Sequence, residues 1–196
     1  MRLQPPAKPP AKSPEKPLEK YANMAPVLIF PTETEAAPLR RLRPDLDVRI
    51  CGVGMAQCAR FAASLLSQPA GARPECVVLC GVAGAYDRRL ALRDTLCVTV
   101  EREAGVPARF AEEYAATEHF AGLAGVVSNT VSGVGAAADG AAIENMEGAA
   151  LFALCAAAGV RCGEIRAVSN YTGDPREKWD IDGAAESLAR ILMKLF

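Results

Sequence analysis

The sequence predicts an α/β protein with a mixed, largely parallel central sheet. Three observations carry that class. Short apolar runs alternate with helix-patterned segments through most of the chain. The runs are brief and flanked by turn residues, as buried strands are. Several hand over through glycine or polar residues to a helix, as Gly52-Val53-Gly54 does before Met55.

In chain order, residues 1–24 are rich in Pro and Lys and read as a disordered, polyproline-like tail. Nothing catalytic is expected there, and residues 25–196 read as one α/β domain. Residues 27–30 form the first strand. Pro31-Thr32 turns into a helix at Glu33–Leu42, where Thr32 and Glu35 fit a capping box. A second strand at 48–51 leads through the Gly52–Gly54 turn into a helix at 55–67. Gln57 stands where a dinucleotide fingerprint needs its third glycine, so that motif is weak. Residues 76–80 make a third strand, ending in a Gly81-Val82-Ala83-Gly84 turn, and 95–100 a fourth.

Residues 102–124 show no clear period. A fifth strand is expected at 125–131, then a small-residue linker or short helix at 136–142. The run Glu144-Asn145-Met146-Glu147-Gly148-Ala149-Ala150 opens an apolar helix, 148–158, that stops at Gly159. A sixth strand at 164–168 and a polar loop at 169–180, carrying Asn170, precede a last helix at 182–196.

Composition narrows the function. With 196 residues, 51% hydrophobic content and a net charge of −1, the chain reads as an ordinary soluble globular protein. Neither nucleic acid nor a membrane suits such a charge as main partner. Seven cysteines, several of them in apolar runs, read as small buried hydrophobes in a reducing, cytoplasmic setting. There is no CxxC pair and a single histidine, His119, so no metal site is expected.

Glu147 sits at the mouth of a buried helix, where a bare carboxylate is costly and must find partners. Helix amides, a buried cation or ligand hydroxyls would each serve, and a plain cap is a fair reading. Glu35, Gly52, Gly81 and Asn170 all follow strands, where ligands of α/β folds bind.

The order of these features resembles the nucleoside phosphorylase/nucleosidase superfamily: an acidic turn after strand one, Gly-Val-Ala-Gly after strand three, Asn-Met-Glu-Gly-Ala-Ala opening a helix, and Ile165-Arg166-Ala167-Val168-Ser169-Asn170. Within it, Glu-Asn-Met-Glu-Gly-Ala-Ala with Val-Ser-Asn-Tyr and a nearby Lys-Trp is similar to futalosine hydrolase, whose members release hypoxanthine from futalosine in a menaquinone-forming pathway. The resemblance implies a three-layer αβα sandwich, no cofactor, a nucleoside and water as partners, and a homo-oligomer. It implies that Glu147 accepts from ribose hydroxyls, that Met146 packs on the ribose, and that Val82, Ala83 and Gly84 lie along base and ribose. Glu35 would activate the water, and its charge would repel the phosphate that a phosphorylase needs.

Asn170 would read the base. Adenine-type relatives carry aspartate there, whereas an amide can donate to the C6 carbonyl of a 6-oxopurine and accept from a protonated N7. Packing, capping and local-turn roles compete for Met146, Glu35 and Asn170 respectively. The rival functions are a methylthioadenosine/S-adenosylhomocysteine nucleosidase, a purine nucleoside phosphorylase, and a nucleoside-binding protein without catalysis. Phe110, Phe120, Arg102 and Arg109 are candidates for a 5′ pocket in a segment shorter than the family's.

Overall fold

The computed structural model describes residues 26–196, so the Pro/Lys-rich stretch lies outside the described residues. The elements are β1 (Val27–Phe30), α1 (Glu33–Leu42), β2 (Val48–Ile50), α2 (Met55–Leu66), β3 (Cys76–Ala85), β4 (Thr95–Glu103), β5 (Glu113–Ala115) and β6 (Ala124–Thr130). They continue with β7 (Ile143–Asn145), α3 (Gly148–Ala158), β8 (Arg161–Tyr171), a 3-10 turn (Arg176–Lys178) and α4 (Ile181–Leu195).

The α/β class and the mixed, largely parallel sheet hold. β1 pairs in parallel with β2 and β3, β3 with β8, β4 with β6, and β6 with β7. The antiparallel pairs are β3–β7, β4–β8 and β4–β5. Because β8 bridges β3 and β4, the strands β3, β8, β4, β6 and β7 close into a ring. β1 and β2 extend from it as an open parallel wing.

Alternation along the strands sorts the core into layers. Val27, Ile29, Val77 and Leu79 face α2 and α3, meeting Cys58, Ala62, Leu65, Leu151 and Phe152. Leu28, Phe30, Val78 and Cys80 face the opposite way onto α1 and α4, against Ala36, Leu39, Leu188 and Leu192. That is the three-layer arrangement, with α1 packed on α4 and α2 on α3. A third cluster, of Ala83, Leu96, Val98, Ile143 and Val168, comes from the ring strands. All seven cysteines are buried and none forms a disulfide.

Two boundaries differ from the sequence reading for the same reason. The expected Gly81–Gly84 turn is strand: β3 runs on to Ala85 and pairs with β8 throughout, with a bulge between Ala83 and Gly84. Glycine inside a strand marks close approach as readily as a turn. A Cβ on Gly81 would meet the Arg166 guanidinium at 2.5 Å, and one on Gly84 would meet Asn170 Nδ2 at 3.1 Å. Likewise β8 spans Arg161–Tyr171, which moves Asn170 from a loop into a strand. β5 and β7, three residues each, are too short to show a period, and residues 136–142 form no helix.

The start of α3 is built by other elements. Asn145 Oδ1 accepts from the amides of Glu147 and Gly148, both at 2.8 Å, and Thr130 Oγ1 accepts from that of Ala149 at 2.7 Å. These satisfy amides that a helix start leaves bare. Gly159 ends the helix in the left-handed region, φ 64°. Gly148 is small because the Glu101 carboxyl occupies the space of a side chain. Gly148→Ala should therefore cost more than about 2 kcal/mol, an overpacking penalty, read by urea denaturation. Ala150→Gly, a loss of about 1 kcal/mol by helix propensity, is the comparison; equal losses would show that Glu101 yields freely.

Candidate active site

A cavity of about 340 Å³ opens at the carboxyl ends of β1 and β3, beside the start of α3. Its lining brings together the seven residues that the resemblance assigns to catalysis and to base and ribose binding: Glu35, Val82, Ala83, Gly84, Met146, Glu147 and Asn170. Pro31, Thr32, Val53, Val134, Glu144, Arg166, Ser169 and Trp179 also stand in the wall. Residues from both ends of the described chain meet here because β1 and β8 flank β3.

Arg166 is the centre of the polar wall. It is 1% exposed and projects from β8 across β3 over Gly81. Its Nε donates to Glu164 at 2.6 Å, Nη1 to the Val82 carbonyl at 3.2 Å, and Nη2 to Asn145 Oδ1 and Glu147 Oε2, each at 3.2 Å. Burial alone would push Arg166 toward neutrality, but Glu164 and Glu147 override it and hold the proton more tightly.

Glu147 has the partners its position demands, and they are not its own helix's amides. Beyond Arg166, its Oε1 accepts from the Gly54 amide at 2.9 Å, while the cap of α3 is left to Asn145. Its side chain makes no capping bond. A carboxylate held from behind keeps lone pairs for a cavity occupant.

Glu35 stands at the start of α1, with its amide in the cap and its side chain lining the cavity. Its amide donates to Thr32 Oγ1 at 3.3 Å, the cap half of a capping box. Its carboxyl is turned inward, and Oε2 is buried without a hydrogen-bond partner. Desolvation raises its pKa to about 6 and Glu147 adds to the rise, while Arg166 opposes it. A buried oxygen without a partner costs stability and is normally satisfied by water or a ligand. A group that titrates near 6 can take and return a proton at neutral pH.

Asn170 lines the cavity with its amide oriented by its neighbour: Ser169 Oγ donates to Oδ1 at 2.8 Å, and Nδ2 reaches the Tyr171 carbonyl at 3.3 Å. Trp179 lies on the same wall, its indole bonded to the Asp174 carbonyl at 3.1 Å and its face covered by Arg176 at 4.4 Å. Beneath the wall lie Glu101 and Glu164, fully buried and both raised by desolvation. Glu101 accepts from Thr130 at 2.7 Å and Asn145 at 2.5 Å.

The four side chains offered for a 5′ pocket do not reach this cavity. Phe120 packs edge-on against Phe196, and Phe110 is exposed beneath Arg109. Arg102 pairs with Glu113 at 2.6 Å. Arg166, Glu164, Glu101, Asn145 and Glu144 were not singled out as site residues from sequence. The signal available for three of them was charge inside strand-like runs, Glu101 after Val98-Thr99-Val100 and Glu164 with Arg166 two positions apart on one strand face. Among the described residues no cluster suits a metal ion, and no helix is long and apolar enough to cross a membrane.

The chain resembles known proteins in sequence and in fold. The sequence model of the Phosphorylase superfamily matches residues 120–196. A futalosine hydrolase of Acidothermus cellulolyticus is 42% identical over 90 residues, which cover 39% of this chain and 37% of that protein. One from Thermus thermophilus is 48% identical over 58 residues, 29% of this chain and 25% of that protein. The match thus spans little more than a third of the first relative and a quarter of the second. In fold, a futalosine hydrolase mutant of Helicobacter pylori aligns with a TM-score of 0.75 at 16% identity, over 88% of this chain and 98% of that one. A 5′-methylthioadenosine/S-adenosylhomocysteine nucleosidase of the same species aligns equally, covering 88% and 97%.

The charge network sets two expectations. Arg166→Leu should cost about 3–5 kcal/mol, because Glu147 and Glu164 would remain buried without their cation; a loss below about 1 kcal/mol in urea melts would contradict the pairing. Glu35 is raised in the folded state, so its contribution is most favourable below the unfolded pKa and declines as pH rises through about 6. Glu35→Gln should then be stabilising by about 2 kcal/mol at pH 8, a gain that disappears near pH 4.5. Equal stability of both proteins at pH 8 would show no desolvation cost.

Proposed function

We propose that this chain, which has the nucleoside phosphorylase/nucleosidase fold and resembles futalosine hydrolase in sequence, hydrolyses the N-ribosidic bond of a 6-oxopurine nucleoside, futalosine foremost. One observation carries the reading. Glu35 is a buried acid with an unengaged oxygen and a pKa near 6, in the same cavity as Glu147 and Asn170.

In this mechanism Glu147 accepts from the ribose hydroxyls, and Met146 covers the apolar face of the sugar. Glu35, ionised, takes a proton from the water whose oxygen bonds to C1′. The C1′–N9 bond breaks with its electron pair passing to the base, which gains a proton at N7 from solvent. Asn170 accepts from that N7–H through Oδ1 and donates to O6 through Nδ2. Positive charge developing on the sugar is stabilised by the two carboxylates, the kind of preorganised field that lowers such barriers. Exposed Val53 and Val134, at 43% and 62%, rim the cavity and suit cover by a second copy of the chain.

An adenine-type nucleosidase is the second reading, favoured by the equal fold match to a methylthioadenosine/S-adenosylhomocysteine nucleosidase. Asn170 speaks against it, because its Nδ2 offers a donor where adenine carries an amino group in place of a carbonyl.

Free hypoxanthine should be released from futalosine equally with and without phosphate, measured by chromatography beside inosine and methylthioadenosine. Release from methylthioadenosine alone would favour the second reading, and tight futalosine binding without release would make the chain a binding protein. Asn170→Asp should lower futalosine turnover at least tenfold; undiminished activity would refute the base-reading role. Turnover should fall with unit slope below pH about 6, as Glu35 takes its proton, and Glu35→Gln should abolish it.

A further inference from the structure

Three residues on neighbouring strands stand level at the cavity. Gly84 on β3 is the register partner of Glu144 on β7 and of Asn170 on β8. The central position has no side chain, so the outer two lean over it. From the point a Gly84 Cβ would occupy, Asn170 Nδ2 lies at 3.1 Å and Glu144 Oε1 at 3.3 Å. The result is a slot with a bare glycine floor, an amide on one side and a carboxylate on the other, all lining the cavity.

We propose that Glu144 is a second base-reading residue, accepting a hydrogen bond from the N1–H of a 6-oxopurine whose O6 faces Asn170. This rests on the 6-oxopurine reading above and deepens it. Around the purine edge N7, O6 and N1 follow one another. An amide facing N7 and O6 therefore leaves N1 to the next group along, here the carboxylate.

The chemistry selects one class of base. Hypoxanthine presents an N–H at N1, which a carboxylate accepts. Adenine presents a lone pair there, which a carboxylate repels, and an amino group where the oxygen would be. Glu144 is fixed for the purpose. Tyr86 donates to its Oε2 at 2.8 Å, and the Gly135 amide donates to its Oε1 at 3.2 Å. Those bonds use two of about four acceptor positions on a carboxylate. Glu144 is 3% exposed, so leaving an acceptor facing an acceptor there would carry a full penalty. Neither helix capping nor core packing accounts for it, since Asn145 caps α3 and Ile143 fills the core.

The test measures binding of the free bases, so it does not depend on turnover. Hypoxanthine and adenine are titrated against the chain, with quenching of the single tryptophan, Trp179, or heat as the signal. The unaltered protein should bind hypoxanthine at least thirtyfold tighter than adenine. In Glu144→Gln the ratio should fall at least fivefold, because a glutamine amide can serve N1 in either base. If Glu144→Gln does not fold, Tyr86→Phe removes the donor that fixes the carboxylate and should erode the ratio at least twofold. A ratio near one in the unaltered chain, or one undiminished in both slot variants, overturns the assignment. Selective hypoxanthine binding that depends on Glu144, without base release from any nucleoside, would sink the proposed hydrolysis and leave this inference standing.

Discussion

A single guanidinium organises the structure. Arg166 is the buried cation that makes a carboxylate tolerable at the start of an apolar helix, and it reaches that position only because Gly81 lets it cross β3. It ties β8 to the Val82 carbonyl, to Asn145 and to Glu147 at once. A lysine could supply the charge but not the planar fork that makes these bonds in several directions. Glu164 holds the guanidinium from behind, with Glu101 buried nearby, so the layer beneath the cavity is polar where a sheet of this kind is usually apolar. Buried ion networks seldom add net stability, and this one is better understood as fixing geometry.

The fold makes that geometry useful. A strand long enough to serve both the open wing and the ring, β3, delivers apolar residues to two helical layers at one end and bare backbone to the cavity at the other. The bulge at Ala83–Gly84 shifts the register so that Asn170 stands beside Gly84. Bulges re-aim side chains in this way next to sites. Glu35 then sits where the first helix starts, desolvated by the core it adjoins, which is the physical origin of its raised pKa.

Much of this was legible in the residues. The first strand, the first helix and the Glu147 helix fall where pattern and capping put them, because each signal is local: Thr32 with Glu35, Gly159 after an apolar run. The residues chosen for the site converge for a reason sequence also carries, since strand ends in α/β sheets point one way. What was not legible was long-range. Gly81 and Gly84 read as a turn because a clash with Arg166 or Asn170, more than eighty residues on, leaves no mark near them. Ring closure by β8 and the three-residue β7 depend on pairings between distant segments, not on periodicity. Asn145 reads as a neighbour of the important glutamate, while in the fold it holds that helix start together.

Ring closure also orders events in time. β3 and β4 are made before β8, the last of the described strands, yet both wait for it to pair with them. Until residues 161–171 have emerged, two apolar strand edges stay open, and neither Arg166 nor Asn170 exists to shape the cavity. Contacts of such sequence separation form slowly, and open edges invite pairing with other chains. The emerging chain is therefore most exposed to aggregation before residues 161–171 have emerged, and the cavity forms only after they pair.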